Sequence, residues 1–187
     1  MEALMARYPL ASRILHWAVA AAMVGLVPIG AWMADRGAAG QWDGLTNTLY
    51  VWHKAIGFAV LWLVVVRILI RRRSGTPPYP QALSRRHRVA ATALHHMLYL
   101  LLVLVPLLGW AGVTAYPALV TVGGLHLPPL PWVPQDQALA ARLFAVHGAL
   151  AILLAVLALG HAAAALNHLL LRKDGLFQRM WFGGTKG

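Results

Sequence analysis

From Leu143 to Leu171 the chain carries no Asp, Glu, Lys or Arg, yet "HGALAILLAVLALGH" places a histidine at each end of thirteen apolar residues, His147 and His161. A run this long and greasy has few places to go. Crossing the hydrocarbon core of a bilayer takes about 20 apolar residues, and only a helix bonds its own backbone there. The run therefore predicts a membrane-spanning helix, and the two imidazoles inside it require a reason.

Three further stretches qualify as spans, so the set covers about 12–33, 49–71, 89–112 and 138–171. The last is longer than a crossing needs, which predicts tilt or extension past the lipid. Only 11% of the 187 residues are charged, against about 25% in a soluble domain. The expected fold is all-α: one integral-membrane four-helix bundle, up-down-up-down, occupying 1–187 as a single domain. The first span exceeds the usual apolar core of a cleaved signal peptide and is read as retained. Pro28 and Pro106 fall inside spans, where neighbouring helices can re-satisfy the backbone.

The net charge of +11 would suit a nucleic-acid partner, but its distribution says otherwise. Of the 16 Lys and Arg, all but Arg36, Lys54 and Arg142 lie in the N-terminal segment through Arg13, in the second connection with its flanks (Arg67 to Arg88), or in the C-terminal tail. Lys and Arg mark the cytoplasmic side. Both termini are thus expected in the cytoplasm, in a multi-pass protein of a bacterial inner membrane, and no nucleic acid is needed. Trp32, Trp42, Trp52, Trp110 and Trp132 all fall near the expected outer boundary, where amphipathic rings settle.

The topology sorts the histidines. His147 and His161 are fourteen residues apart, about 40° short of four full turns, so they share a face about 21 Å apart along the axis. That spacing suits two stacked sites. With alternating spans, His16 lies at the inner level beside His161, and His53 at the outer level beside His147. Each level gains two imidazoles and no carboxylate. Zinc and di-iron sites usually recruit acids, thiolates or more than two histidines, whereas two opposed imidazoles suit a six-coordinate haem. The absence of cysteine excludes iron–sulfur ligation and covalent C-x-x-C-H attachment. The expected cofactors are therefore two non-covalent haem b groups.

A flat macrocycle also needs a small neighbour one turn along the helix. His16, His53, His147 and His161 are followed at i+4 by Ala20, Gly57, Ala151 and Ala165, while His95, His96, His126 and His168 are followed by Tyr99, Leu100, Leu130 and Arg172. His87 also has a small residue there, Ala91, but sits in the basic stretch "SRRHR" and reads as a solvated loop or headgroup residue. His95 and His96 open the third span and are candidate contacts for a haem propionate or a quinone; His168 is a candidate contact for the inner haem. His126 lies in the outer loop, where it would be exposed or line a substrate entrance. Propionates need cations: Lys54 is the outer candidate, Arg67 and Arg71 the inner ones, each also able simply to snorkel to the interface.

With those residues in place the chain resembles the bacterial cytochrome b561 family of small di-haem, quinone-linked membrane proteins. The matching pieces are "SRILHWAVA", "VWHKAIGFAVLWLVVVRILIR", "HHMLYLLLVLVPLLGW" and "VHGALAILLAVLALGHAAAALNHLLLRKDGLFQRM". The resemblance carries its four axial ligands onto His16, His53, His147 and His161, the same four reached from spacing. It implies electron exchange between the membrane quinone pool, ubiquinone or another quinone, and a partner on one face. One activity in this branch is oxidation of superoxide at the outer face, which Lys54 and Arg142 would favour. Other relatives relay electrons from a dehydrogenase or hydrogenase. From a different class, a His-lined metal or proton transporter would be expected to show repeats or helices broken near the midplane; here the histidines lie toward both surfaces.

Overall fold

The computed structural model describes residues 7–78 and 84–183. Four long helices account for most of them: α1 (Leu10–Ala38), α2 (Gly44–Ser74), α3 (Arg85–Ala115) and α4 (Gln137–Asn167). α4 runs on through a π-helical turn at His168–Arg172, and a short 3₁₀ turn follows at Phe177–Arg179. All four are long and apolar enough to cross a membrane. Consecutive helices pack on one another, and α4 returns to touch α1. The protein is a four-helix transmembrane bundle.

The helices outrun the apolar spans because polar residues at their ends supply caps. Asp43 accepts from the Thr46 N–H at 2.9 Å to start α2, and Asp136 accepts from the Leu139 N–H at 2.9 Å to start α4. Such a side chain takes up a backbone donor that the first turn leaves free. Ser84 does the same for α3 through the His87 N–H, and its hydroxyl meets His87 Nδ1 at 2.7 Å. One expectation is corrected here. Arg85, Arg86, His87 and Arg88 form the opening of α3 rather than a loop. Gly75, at a φ of 69°, ends α2 with its N–H on the Arg71 carbonyl, a left-handed conformation that glycine adopts without penalty.

Asp43 also pairs with Arg36 near the end of α1. The Thr46 backbone N–H first, and the Arg36 guanidinium second, hold its carboxyl down to about 2 from the usual 3.8. A carboxyl whose folded pKa is depressed stabilises above its unfolded value and loses that contribution as pH falls toward the folded one. The α1–α2 connection is thus expected to loosen between pH 4 and pH 2. Protection of the Thr46 and Asn47 amides, taken relative to their intrinsic exchange rates, should fall across that window in the native protein and stay level in Asp43→Asn; a fall in both would refute the assignment.

The core is aliphatic and lies at mid-height. Val19 and Leu26 of α1, Val60 and Val64 of α2, Leu98, Leu101, Leu102 and Val105 of α3, and Leu154 of α4 form one buried cluster. In lipid such packing is driven by dispersion and close fit, since the acyl chains are as apolar as leucine. The outward faces are equally apolar: Val24, Leu159 and Leu171 are 78%, 71% and 76% exposed. In water these would be a liability; against acyl chains they are in their own medium.

Both ends are tied down by long-range bonds. At the arginine-rich end the C-terminal segment folds back: Trp17 Nε1 donates to the Met180 carbonyl at 2.8 Å, and Arg13 to the Trp181 carbonyl at 2.9 Å. Trp17 stacks edge-on with Phe177 and Trp181, and Arg179, itself buried, donates to the Pro78 carbonyl at 2.8 Å. At the opposite end the segment after α3 is pinned by Trp110 Nε1 on the Pro128 carbonyl and by the Leu130 N–H on Thr114 Oγ1.

Candidate functional site

The bundle brings histidines from three helices together at two heights. At the opposite end from the arginines, the rings of His53 (α2) and His147 (α4) lie 6.1 Å apart between centroids at an interplanar angle of 80°. At the arginine-rich end, His16 (α1) and His161 (α4) lie 6.2 Å apart at 83°. The two pairs share nearly the same geometry. Both members on α4 sit fourteen residues apart, about 21 Å along the axis, with Leu154 midway on the same face and only 2% exposed.

Local chemistry at the His147 ring leaves a nitrogen available. His147 Nδ1 meets the Val105 carbonyl at 2.8 Å. A carbonyl only accepts, so Nδ1 carries the hydrogen and Nε2 presents a bare lone pair, the arrangement that orients a metal-bound imidazole. The bond exists because Gly109, one turn beyond Val105, has no side chain: a Cβ there would stand 3.1 Å from His147 Cε1 and Nδ1. Gly30 on α1 leaves room for the His53 ring in the same way, where a Cβ would come within 2.9 Å of Cε1. By contrast a Cβ on Gly57, one turn from His53, would meet nothing within 4 Å. Nδ1 of His16 and of His53 are buried with no hydrogen-bond partner, a costly state for a polar atom unless the ring is used for something else.

Among the described residues no group of three or more His, Cys, Asp or Glu side chains is placed to hold a bare metal ion. Facing imidazoles at both levels, with Gly30 and Gly109 against the outer rings, fit an iron whose remaining ligands come from a porphyrin. The residues present fit a b haem.

The other candidates divide. His95 joins the inner pair, its ring 5.2 Å from that of His161. Arg67 and Arg71 lie over the Tyr99 ring at 5.3 and 5.5 Å, and these three line a small cleft with Tyr8, Ser12 and Met180. Lys54, next to His53, donates to the Ala118 carbonyl at 2.8 Å and so anchors the far connection. His168 sits beyond His161 and pairs through Nδ1 with Asp174 at 2.6 Å. His126 is exposed and forms an isolated β-bridge with Val120; His96 and Arg142 are exposed. Three features escape a reading by spacing along one helix: Gly30 and Gly109, which face histidines on other helices, and the C-terminal segment over Trp17. Glycines at the height of the outer histidines on the neighbouring spans were the available signal.

Two facing histidine pairs inside a membrane four-helix bundle suit the class of b-type cytochromes. The match to known proteins agrees: residues 7–183 fit the family described as prokaryotic cytochrome b561, and this chain belongs to it. The chain is similar to "Cytochrome b561 homolog 2" of Escherichia coli (strain K12), 32% identical over 174 residues that cover 93% of this chain and 90% of the relative. Membership makes this a bacterial multi-pass membrane protein that binds b-type haem and transfers electrons.

Proposed function

We propose that the chain holds two non-covalent b haems, His53 with His147 at the outer level and His16 with His161 at the inner level, and passes electrons from an outer-face donor to the membrane quinone pool. The observation that carries this reading is the repetition of one ring-pair geometry, 6.1 and 6.2 Å, at two heights. When bound, b haem supplies a one-electron couple at its iron. The chain's own residues do the rest. His147 is held in the ligating tautomer by Val105, and Gly30 and Gly109 let the outer rings sit against the backbone.

The distribution of Lys and Arg supports a cytoplasmic arginine-rich end, and with it cytoplasmic termini in a protein of the inner membrane. There Arg67, Arg71 and His95 surround the inner pair as contacts for propionate or for a quinone headgroup; His168 stands next to them. On the outer side Lys54 and Arg142 give a positive field that would draw an anion. The donor that fits is superoxide: two anions each give up one electron and leave as dioxygen, and one quinone takes two electrons and two protons to become quinol.

Reduced and oxidised visible spectra of the purified protein, with haem quantified per chain, test the first half of this reading. Two low-spin haems per chain are expected, and a colourless protein would overturn it. Quinol production on adding superoxide and ubiquinone tests the second half; no rate above the uncatalysed one would remove superoxide as donor. Gly30→Ala and Gly109→Ala are expected to lower occupancy at the outer level alone, because the added methyl meets His53 or His147. Loss at the inner level instead would contradict the placement.

A further inference from the structure

The opening of α3 presents a face that the electron-transfer reading leaves unused. Arg85, Arg88, Val89, Thr92, Ala93 and His96 form one open face, all of them from this one helix. Their spacing of three and four residues puts them on one side, and all six are exposed. α3 contains no Asp or Glu over its whole length, so nothing on this helix offers its arginines a carboxylate. The same side then turns apolar: Val89, Leu100 and Leu104 are 61%, 56% and 36% exposed. Cations at the top and bare aliphatics below make a gradient that one class of molecule matches along its length.

We propose that this face of α3 binds one anionic phospholipid. Arg85 and Arg88, one turn apart, hold its phosphate; guanidinium groups match phosphate oxygens in bidentate geometry. His96 stands about 12 Å deeper than Arg88 along the helix, at the level of the acyl chains, below the headgroup. An acyl chain then lies along Val89, Ala93, Leu100 and Leu104. The apolar track favours a lipid over free phosphate or an acidic peptide, neither of which has anything to lay against it. Basic sites on the cytoplasmic side of membrane helices recognise acidic headgroups by this chemistry.

Native mass spectrometry of the detergent-solubilised, full-length protein, titrated with phosphatidylglycerol or with phosphatidylcholine of the same acyl chains, tests the site. A bound phosphatidylglycerol should appear at concentrations where phosphatidylcholine does not. The double variant Arg85→Gln/Arg88→Gln should weaken it by about tenfold or more, since one charge near an anionic surface is worth about fivefold. Arg72→Gln/Arg73→Gln, which removes two exposed cations at the same end, should leave it unchanged. Equal loss in both doubles would mean a diffuse field and overturn the proposal. So would equal binding of the two lipids, or displacement of the bound lipid by an equal concentration of inorganic phosphate. A dimer that Arg85→Gln/Arg88→Gln dissolves would make the face a contact between copies and overturn it too. Unchanged helix content by circular dichroism confirms that each variant is folded.

Discussion

His147→Ala is expected to yield a protein with one haem per chain in place of the two proposed. The substitution removes one imidazole from the outer pair and leaves His53 facing nothing that can take its place. The inner pair, His16 and His161, is about 21 Å away along the helix, beyond the 7–10 Å within which substitutions usually couple. Its ring geometry rests on separate contacts, with His95 and Trp17 beside it. The reduced-minus-oxidised absorbance should fall by about half, and an optical redox titration should change from two waves to one. His161→Ala should also leave a single wave, but the other one. If the two variants left the same spectrum at the same potential, the division into two levels would be wrong.

Leu154→Ala should cost stability without costing haem. Leu154 is 2% exposed and is the one residue of α4 in the central aliphatic cluster. Truncating a buried leucine leaves a cavity that its neighbours fill only in part, worth about 2–5 kcal/mol. Leu159→Ala on the same helix, 71% exposed to lipid, should stay within about 0.5 kcal/mol, as surface changes do. Denaturation in mixed detergent micelles would measure both. Equal effects at the two positions would mean that the cluster is not what holds α4 to α3.

Much of this molecule can be read from its sequence, and the limit is physical. The four crossings follow from length and apolarity, since a bilayer tolerates little else. Their ends do not: α3 begins at Arg85 because Ser84 caps it, and a charged helical turn above the lipid has the same composition as a loop. The pairing of His16 with His161 and of His53 with His147 follows from helical rise plus alternating direction, and the rings do meet. What spacing along one helix misses is what depends on its neighbours. Gly30 and Gly109 matter through rings on other helices, and the bond from Trp17 to Met180 joins positions 163 residues apart. His95 was a contact candidate, but that it would lie closer to His161 than His16 does is a matter of helix rotation, which periodicity leaves open.

The aliphatic layer around Leu154 has an electrical meaning as well as a mechanical one. Its buried members, among them Val19, Val60, Val64, Leu98, Leu101 and Leu102, are all aliphatic, so it is an insulator with a redox pair proposed on either side. An electron moving from the outer pair to the inner one shifts a negative charge through that dielectric, against a membrane potential that is negative inside. A full crossing costs about 2.3 kcal/mol per 100 mV, and this step costs its fraction of that. Turnover in sealed vesicles should therefore slow as the potential grows, and an ionophore that collapses the potential should restore it. The protein would then act as a valve whose throughput is set by the voltage across its own greasy centre.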